Sequence, residues 1–480
     1  MSSLLRILFF LLLFCSTDFL HAQSPVVRVK SRPESLTYFE QLYKSQLGTI
    51  TEERSNVKKY IKTQYENRWK DQKDMVERGE ILYDSPLQKL CEDLLNEIVA
   101  ANNLPPRFKI FVTEELIVNA YATGDGNLFI TIGLLERLNH LDELKFVICH
   151  EISHDIKNHV NASIDLSAEM LFDKQVKKDY REALNSEYKV RTKLEKVIFS
   201  RLANARKFSR SLEFAADSVG KEFFIKSGGQ AKYMKSLLEM LDHSDIEYRT
   251  DSINLYALVS LSGVPFNPSW YQQKSVSSLG LEKYEVEKTP DSLKTHPDIP
   301  LRIEKIAPEY ASEQRTRNID PAYASYQILA EREIIFSWFR LRNLGRAFYR
   351  AAMLEQTSPS AYNRAVMSLC ASYLCIARRE KLMGDYVSME HVNFDPSYNK
   401  CLYFWNEMYS ADMAKLAMGW ASNSAQGADI IESEFISFAQ VMGLYVNKNK
   451  SDFEKAKATF LSKFPSGHFY STVNSLNLNS

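Results

Sequence analysis

The stretch His150-Glu151-Ile152-Ser153-His154 constrains this chain more than any other. Imidazoles four residues apart fall on one face of a helix, where both can grip a single metal ion. Glu151 falls in an adjacent sector, placed to reach a water on that metal rather than the metal itself. The pattern suits zinc, which takes neutral imidazole nitrogen and, when catalytic, keeps one position open for water. A chance pattern on an amphipathic helix is the plain alternative. The flanks argue against chance: Leu144, Val147, Ile148 and Ile152 supply an apolar stripe, and Asp142 fits the N-cap.

Two histidines do not close a catalytic zinc site, so a third protein ligand must come from elsewhere. The best candidate is Glu213, in Ser209-Arg210-Ser211-Leu212-Glu213-Phe214-Ala215-Ala216-Asp217. Glu213 and Asp217 again share one helix face, so Asp217 can orient a ligating histidine from behind. Most such acidic pairs are solvated faces. Here Ala215, Ala216 and Gly220 indicate a helix that another approaches closely.

Around this pair of segments the chain changes character several times. Ile7 to Phe14 form an apolar run after Arg6, followed by polar residues and Leu20-His21-Ala22. That order reads as a secretory leader over residues 1–22 and an exported, soluble mature protein, periplasmic or secreted. Lys+Arg and Asp+Glu are equal at 60 each, which offers nothing to nucleic acid. Cys91, Cys149, Cys370, Cys375 and Cys401 follow the leader, an odd set without a disulfide framework. One bridge among the last three and a set of buried thiols look alike from here. Cys149 reads as a small core residue.

Residues 23–80 read as one or two helices. Phe108 to Val112, Val118 to Ala122 and Leu128 to Ile132 read as three strands, with Thr123-Gly124-Asp125-Gly126-Asn127 as the hairpin turn. From 311 to 480 the pattern is helical again. Ser358-Pro359-Ser360-Ala361-Tyr362-Asn363 and Asp395-Pro396-Ser397-Tyr398-Asn399 echo each other there. A tetratricopeptide-like stack and an irregular helical bundle both fit that tail.

Taken in order, Asn119-Ala120-Tyr121-Ala122, Gly124 to Gly126, Phe129 to Leu135, Asp142-Glu143-Leu144, His150 to His154, Ser209 to Asp217 and Thr295-His296-Pro297 resemble the zinc metallopeptidase family of the CAAX prenyl proteases and HtpX-type proteases. The resemblance runs over roughly residues 80 to 310. It implies a zincin-like fold, one zinc ion held by His150, His154 and Glu213, Glu151 as catalytic base, and protein or peptide substrates. By resemblance His296 either occupies the fourth zinc position, holding the enzyme latent, or stabilises the oxyanion. A loop histidine packed on Pro297 is the other reading. Absence of further membrane-length apolar runs sets the chain closer to a soluble periplasmic branch with a helical-repeat tail.

The expectation is thus an α+β protein: a mostly helical metallopeptidase domain over 81–310 with a small antiparallel sheet, then an all-α region over 311–480. An extended substrate would lie along the edge strand Leu128, Phe129, Ile130, Thr131, Ile132. The leading function is an exported zinc endopeptidase in envelope protein quality control, its tail recruiting substrates or an envelope assembly complex. The alternative is a chaperone-like binding or assembly factor with latent proteolysis. The sequence leaves the oligomeric state open.

Overall fold

The computed structural model describes residues 32–175, 178, 181–182, 190–242, 244, 252–270, 299–310, 318–390, 394–422 and 430–478, with backbone only for 190–207 and 430–432. The leader over 1–22 and the His296-Pro297 loop lie outside the described residues. The chain divides into two compact units, one drawn from 29–247 and 287–333, the other mainly from 248–286 and 334–480.

The first unit opens with α1 (Pro33–Gly48) and α2 (Ser55–Glu77), which pack together. α3 (Pro86–Asn102) starts cleanly because Ser85 accepts a hydrogen bond from the Gln88 amide and Pro86 sits in its first turn. It buries Leu87, Leu90, Leu94, Leu95 and Ile98.

Three strands follow: β1 (Lys109–Thr113), β2 (Ala120–Ala122) and β3 (Asn127–Thr131). Their order is β1-β3-β2. β2 and β3 form the antiparallel hairpin read from the sequence, but β1 runs parallel to β3, so the sheet is mixed. Parallel pairing requires the chain to cross over between β1 and β2. It does so through residues 114–119, which pass over the end of β3. There the Thr131 hydroxyl donates to Ile117 O at 2.6 Å, and Gly133 N–H donates to Glu115 O at 3.1 Å. The Leu128–Ile132 segment is therefore not an edge. β3 is the central strand, buried at every position, and Ile132 already begins α4 (Ile132–Arg137). Its unbroken apolar run is what burial on both faces demands. Ile81 bridges Thr113 on the outer side of β1.

α5 (Leu141–Ile156) carries the two histidines and is buried on nearly every side. Its buried residues include Glu143, Lys145, His150, Glu151, Ser153 and Asp155, so the helix carries its polar groups into the middle of the unit. It is flanked by α6 (His159–Phe172), the 37-residue α7 (Val190–Lys226), α8 (Lys232–Asp242) and β2. Its N-cap is His140, two residues before Asp142: His140 Nδ1 accepts from the Asp142 amide at 3.0 Å. Asp142 sits instead in the first turn and accepts from Gln230 N–H at 3.0 Å.

The second unit is helical. It holds α9 (Leu255–Ser260), and the Trp420 indole donates to Leu258 O at 2.8 Å. α10 (Ile299–Ile306) belongs to the first unit, and α11 (Pro321–Arg340) gives residues to both. Beyond come α12 (Leu344–Thr357), α13 (Ala361–Glu380), α14 (Pro396–Glu407), α15 (Ser410–Ser422), α16 (Ile430–Val446), α17 (Lys450–Lys463) and α18 (Tyr470–Ser475). α13 packs against α12, α15 and α16 together. α12 with α13 and α15 with α16 make two successive helical hairpins in contact, an arrangement that a hairpin stack and an irregular bundle share. The two echoed motifs are N-caps. Ser360 accepts from the Asn363 amide in α13, and Asp395 accepts from Ser397 and Tyr398 in α14. Cys91, Cys149, Cys370, Cys375 and Cys401 are all buried free thiols. Among the described residues no helix is long and apolar enough to cross a membrane.

Candidate metal centre

α5 and α7 meet at a very short distance. A Cβ placed on Gly220 of α7 would stand 3.1 Å from His150 Cα, so glycine there sets how closely the helices approach. This contact brings Glu213 to the histidine face. One ligand atom each from His150, His154 and Glu213 lies within 4.8 Å of the others.

The two Nε2 atoms are 3.0 Å apart, and Glu213 Oε2 and Oε1 stand 3.6 and 3.5 Å from them. Zinc with legs of about 2.0–2.1 Å in a tetrahedron has edges of roughly 3.3 Å, so the spacing fits. Charge fits as well. With both imidazoles neutral, as metal ligation requires, buried Glu151 and Asp217 and half-buried Glu213 face the single guanidinium of Arg302, leaving two negative charges uncompensated. A divalent cation balances two.

Without an ion the site shows that imbalance. Burial alone would lower His150, but Asp217 and Glu213 outweigh it and push the imidazole up to about 10. His154 is driven down to about 3 by burial and then by the charge on His150. Burial, with the Glu213 charge adding, raises Glu151 to about 7. Burial works the other way on Glu213, yet its contacts with His150 hold it well below the usual carboxylate range.

Each ligating ring has a partner behind it. His150 Nδ1 stands 3.1 Å from Asp217 Oδ1, and His154 Nδ1 stands 3.1 Å from His159 Nδ1. Asp217 is fully buried and accepts two hydrogen bonds from Arg302, from Nε and Nη2, both at 2.7 Å. Arg302 Nη1 also lies 3.0 Å from Glu213 Oε2. Arg302 went unnoticed in the sequence, although it shares the inner face of α10 with Ile299, Ile303 and Ile306. A charged residue within such an apolar stripe needs a buried partner, and that was the available signal. At the far end of α5, Asp155 accepts from the Gly126 amide at 2.8 Å and pairs with Arg107, tying the helix to the β2–β3 turn. Ser153 is buried and donates to Cys149 O at 2.7 Å within α5.

Residues 84–309 match the model of peptidase family M48. No curated protein matches the chain. The match spans α3, the sheet, α5, α7 and α10, so every residue of the centre falls inside it. It supports a metallopeptidase.

Proposed function

We propose that this chain is an exported zinc-dependent endopeptidase. The observation that carries the reading is the convergence of His150, His154 and Glu213 with Glu151 beside them. Zinc held there would supply Lewis-acid polarisation of the scissile carbonyl and a water of lowered pKa. Glu151, adjoining His150 in α5, takes the water's proton and passes it to the leaving amine. Burial disfavours the charged carboxylate at Glu151, which suits it to accept a proton and then give it up. Asp217 and His159 hold the two rings in orientation, and Arg302 fixes the acidic pair.

The substrate is read along β2 instead of β3. Asn119 and Thr123 bond inward to Thr131 and Asn127, so Ala120 and Ala122 turn their backbone groups to the opposite side. The Ala122 amide lies against the Glu151 carboxylate, which sets that side beside the reacting groups. Backbone pairing along such an edge accepts many sequences, as envelope protein quality control requires. The helical unit is read as the part that recruits protein substrates or an envelope complex.

The test is zinc content and casein cleavage in the wild type and Glu151→Gln. Retained metal with cleavage lost by about a hundredfold or more supports the reading. Equal cleavage by both proteins, or a purified wild type that binds no metal, overturns it.

A further inference from the structure

His159 is the first residue of α6 and stands behind His154, so whatever fixes the start of α6 also fixes that ring. The start is weakly made by its own residues. Asn158 occupies the N-cap in the left-handed region, at φ 57°, and its side chain caps no amide of the helix. Instead it accepts from Asn161 Nδ2 at 2.6 Å. The same Asn161 amide donates to Gly124 O at 3.3 Å, in the turn that ends β2. Asp155 of α5 accepts from the Gly126 amide in that turn, so a closed chain of contacts runs from α5 through the turn to α6.

One cation holds this chain from outside. Arg68 of α2 donates from Nη2 to Asn161 Oδ1 at 3.2 Å and from Nη1 to Gln46 Oε1 at 3.3 Å. Gln46 donates in turn to Gly124 O at 3.4 Å. Among the described residues, both acceptors of the guanidinium are neutral amides. Burial disfavours its charge, and Asp125 and Asp155 offset that only in part. It also stands beside the first turn of a helix, the end that repels a cation. Such a charge adds little to stability. What it adds is a planar fork, which fixes Asn161 in direction as well as in distance.

We propose that Arg68 is a positioning residue of the metal centre, acting on His159 through Asn161 and the first turn of α6. The inference rests on the metallopeptidase reading and extends the centre into α2, which ends before residue 84, where the family match begins. α2 suits the task because it packs along α6, with Val57, Ile61 and Tyr65 buried against Ala168. It thus carries the body of α6 on its apolar face and the first turn on Arg68.

The experiment measures zinc affinity of the full-length protein by competition with a chelator, in the wild type, Arg68→Met, His159→Ala and the double variant. Arg68→Met keeps most of the stem and removes the fork, and should weaken binding about tenfold. The double variant should lose no more than His159→Ala alone, within about twofold, because the fork then has nothing to position. Losses that multiply overturn the inference. Arg68→Lys keeps the charge without the fork and should stay closer to Arg68→Met than to the wild type. Wild-type affinity in Arg68→Lys would make the effect one of charge and likewise overturn it. Met75→Ala controls for stability, since Met75 lies on the same helix but is buried with Phe39, Phe111 and Phe129. It should lower the unfolding midpoint and leave zinc affinity within about twofold. Wild-type affinity in a folded Arg68→Met protein, or an equal loss in Met75→Ala, overturns this inference and leaves the peptidase reading intact. A wild type that binds no zinc overturns both.

Discussion

Arg302 holds Asp217 with two parallel hydrogen bonds of 2.7 Å, and neither side chain reaches solvent appreciably. The pair lies behind His150, so it acts on the metal centre without occupying it. Removing one member of a buried ion pair leaves the other charge unpaired, at a cost of about 3–5 kcal/mol. Arg302→Met should lower unfolding stability by that order and weaken zinc binding about 10–100-fold. Arg302→Lys keeps the charge but not the planar fork, so its losses should be smaller and still measurable. Denaturant unfolding and competition with a zinc chelator read the two effects separately. Wild-type affinity in a folded Arg302→Met protein would show that the pair supports the fold alone.

His159 occupies for His154 the place that Asp217 occupies for His150. Its Nδ1 is 3.1 Å from His154 Nδ1, which fixes the tautomer that presents Nε2 to the ion. His159→Ala should weaken zinc binding about 10–100-fold. His159→Asn places an amide oxygen where Nδ1 stood and should recover most of the loss. Equal affinities for the wild type and both variants would reduce His159 to packing.

The parts legible in the sequence were those that depend on local spacing. His150 and His154 share a face because a helix repeats every 3.6 residues, and that holds wherever the helix is placed. Glu213 was readable from the small residues after it, because close helix approach requires them. Strand order was not readable in the same way. The hairpin is encoded by its turn, but the placement of β1 depends on how 114–119 crosses over β3. The apolar run at 128–130 was the one hint that β3 is central. His159 and Arg302 were obscure for a related reason: each acts on a residue from another helix or another turn. In the tail, the echoed motifs reflect the same solution for starting a helix used twice, and a capping rule does not imply a repeat.

Gly133 gives a direct test of the crossover. A Cβ there would stand 2.3 Å from Leu116 O and 2.4 Å from Ile117 O. Both obstacles are backbone atoms, so no rotamer change relieves the clash. Gly133→Ala should therefore push the 114–119 segment off the end of β3 and destabilise the protein by about 1–3 kcal/mol or more. Thermal unfolding should show a lower midpoint, and hydrogen exchange should show faster exchange at Thr131 and Gly133. Unchanged exchange at those amides would mean that the crossover is held by something other than this contact.

Metal binding and protonation compete at His150, and the sign follows from the geometry. In the ion-free centre Asp217 and Glu213 overcome burial and hold its imidazole up to about 10, so at pH 8 it carries a proton. His154, pushed down to about 3 by burial and by the charge on His150, carries none, and Glu151 at about 7 is mostly ionised. A metal ion must therefore expel the proton on His150, and binding should tighten about tenfold per pH unit as pH rises from 8 towards 10. Asp217→Asn removes the first of the two carboxylates that raise His150. With burial then opposed by Glu213 alone, less of the imidazole should be protonated at pH 8, leaving fewer protons to release. Zinc titration calorimetry in two buffers of different ionisation enthalpy counts the protons for each protein. The wild type should release more than Asp217→Asn, by up to about one proton, and protons lost by solvent at the ion cancel in that difference. Equal counts would show that His150 is already neutral before the ion arrives.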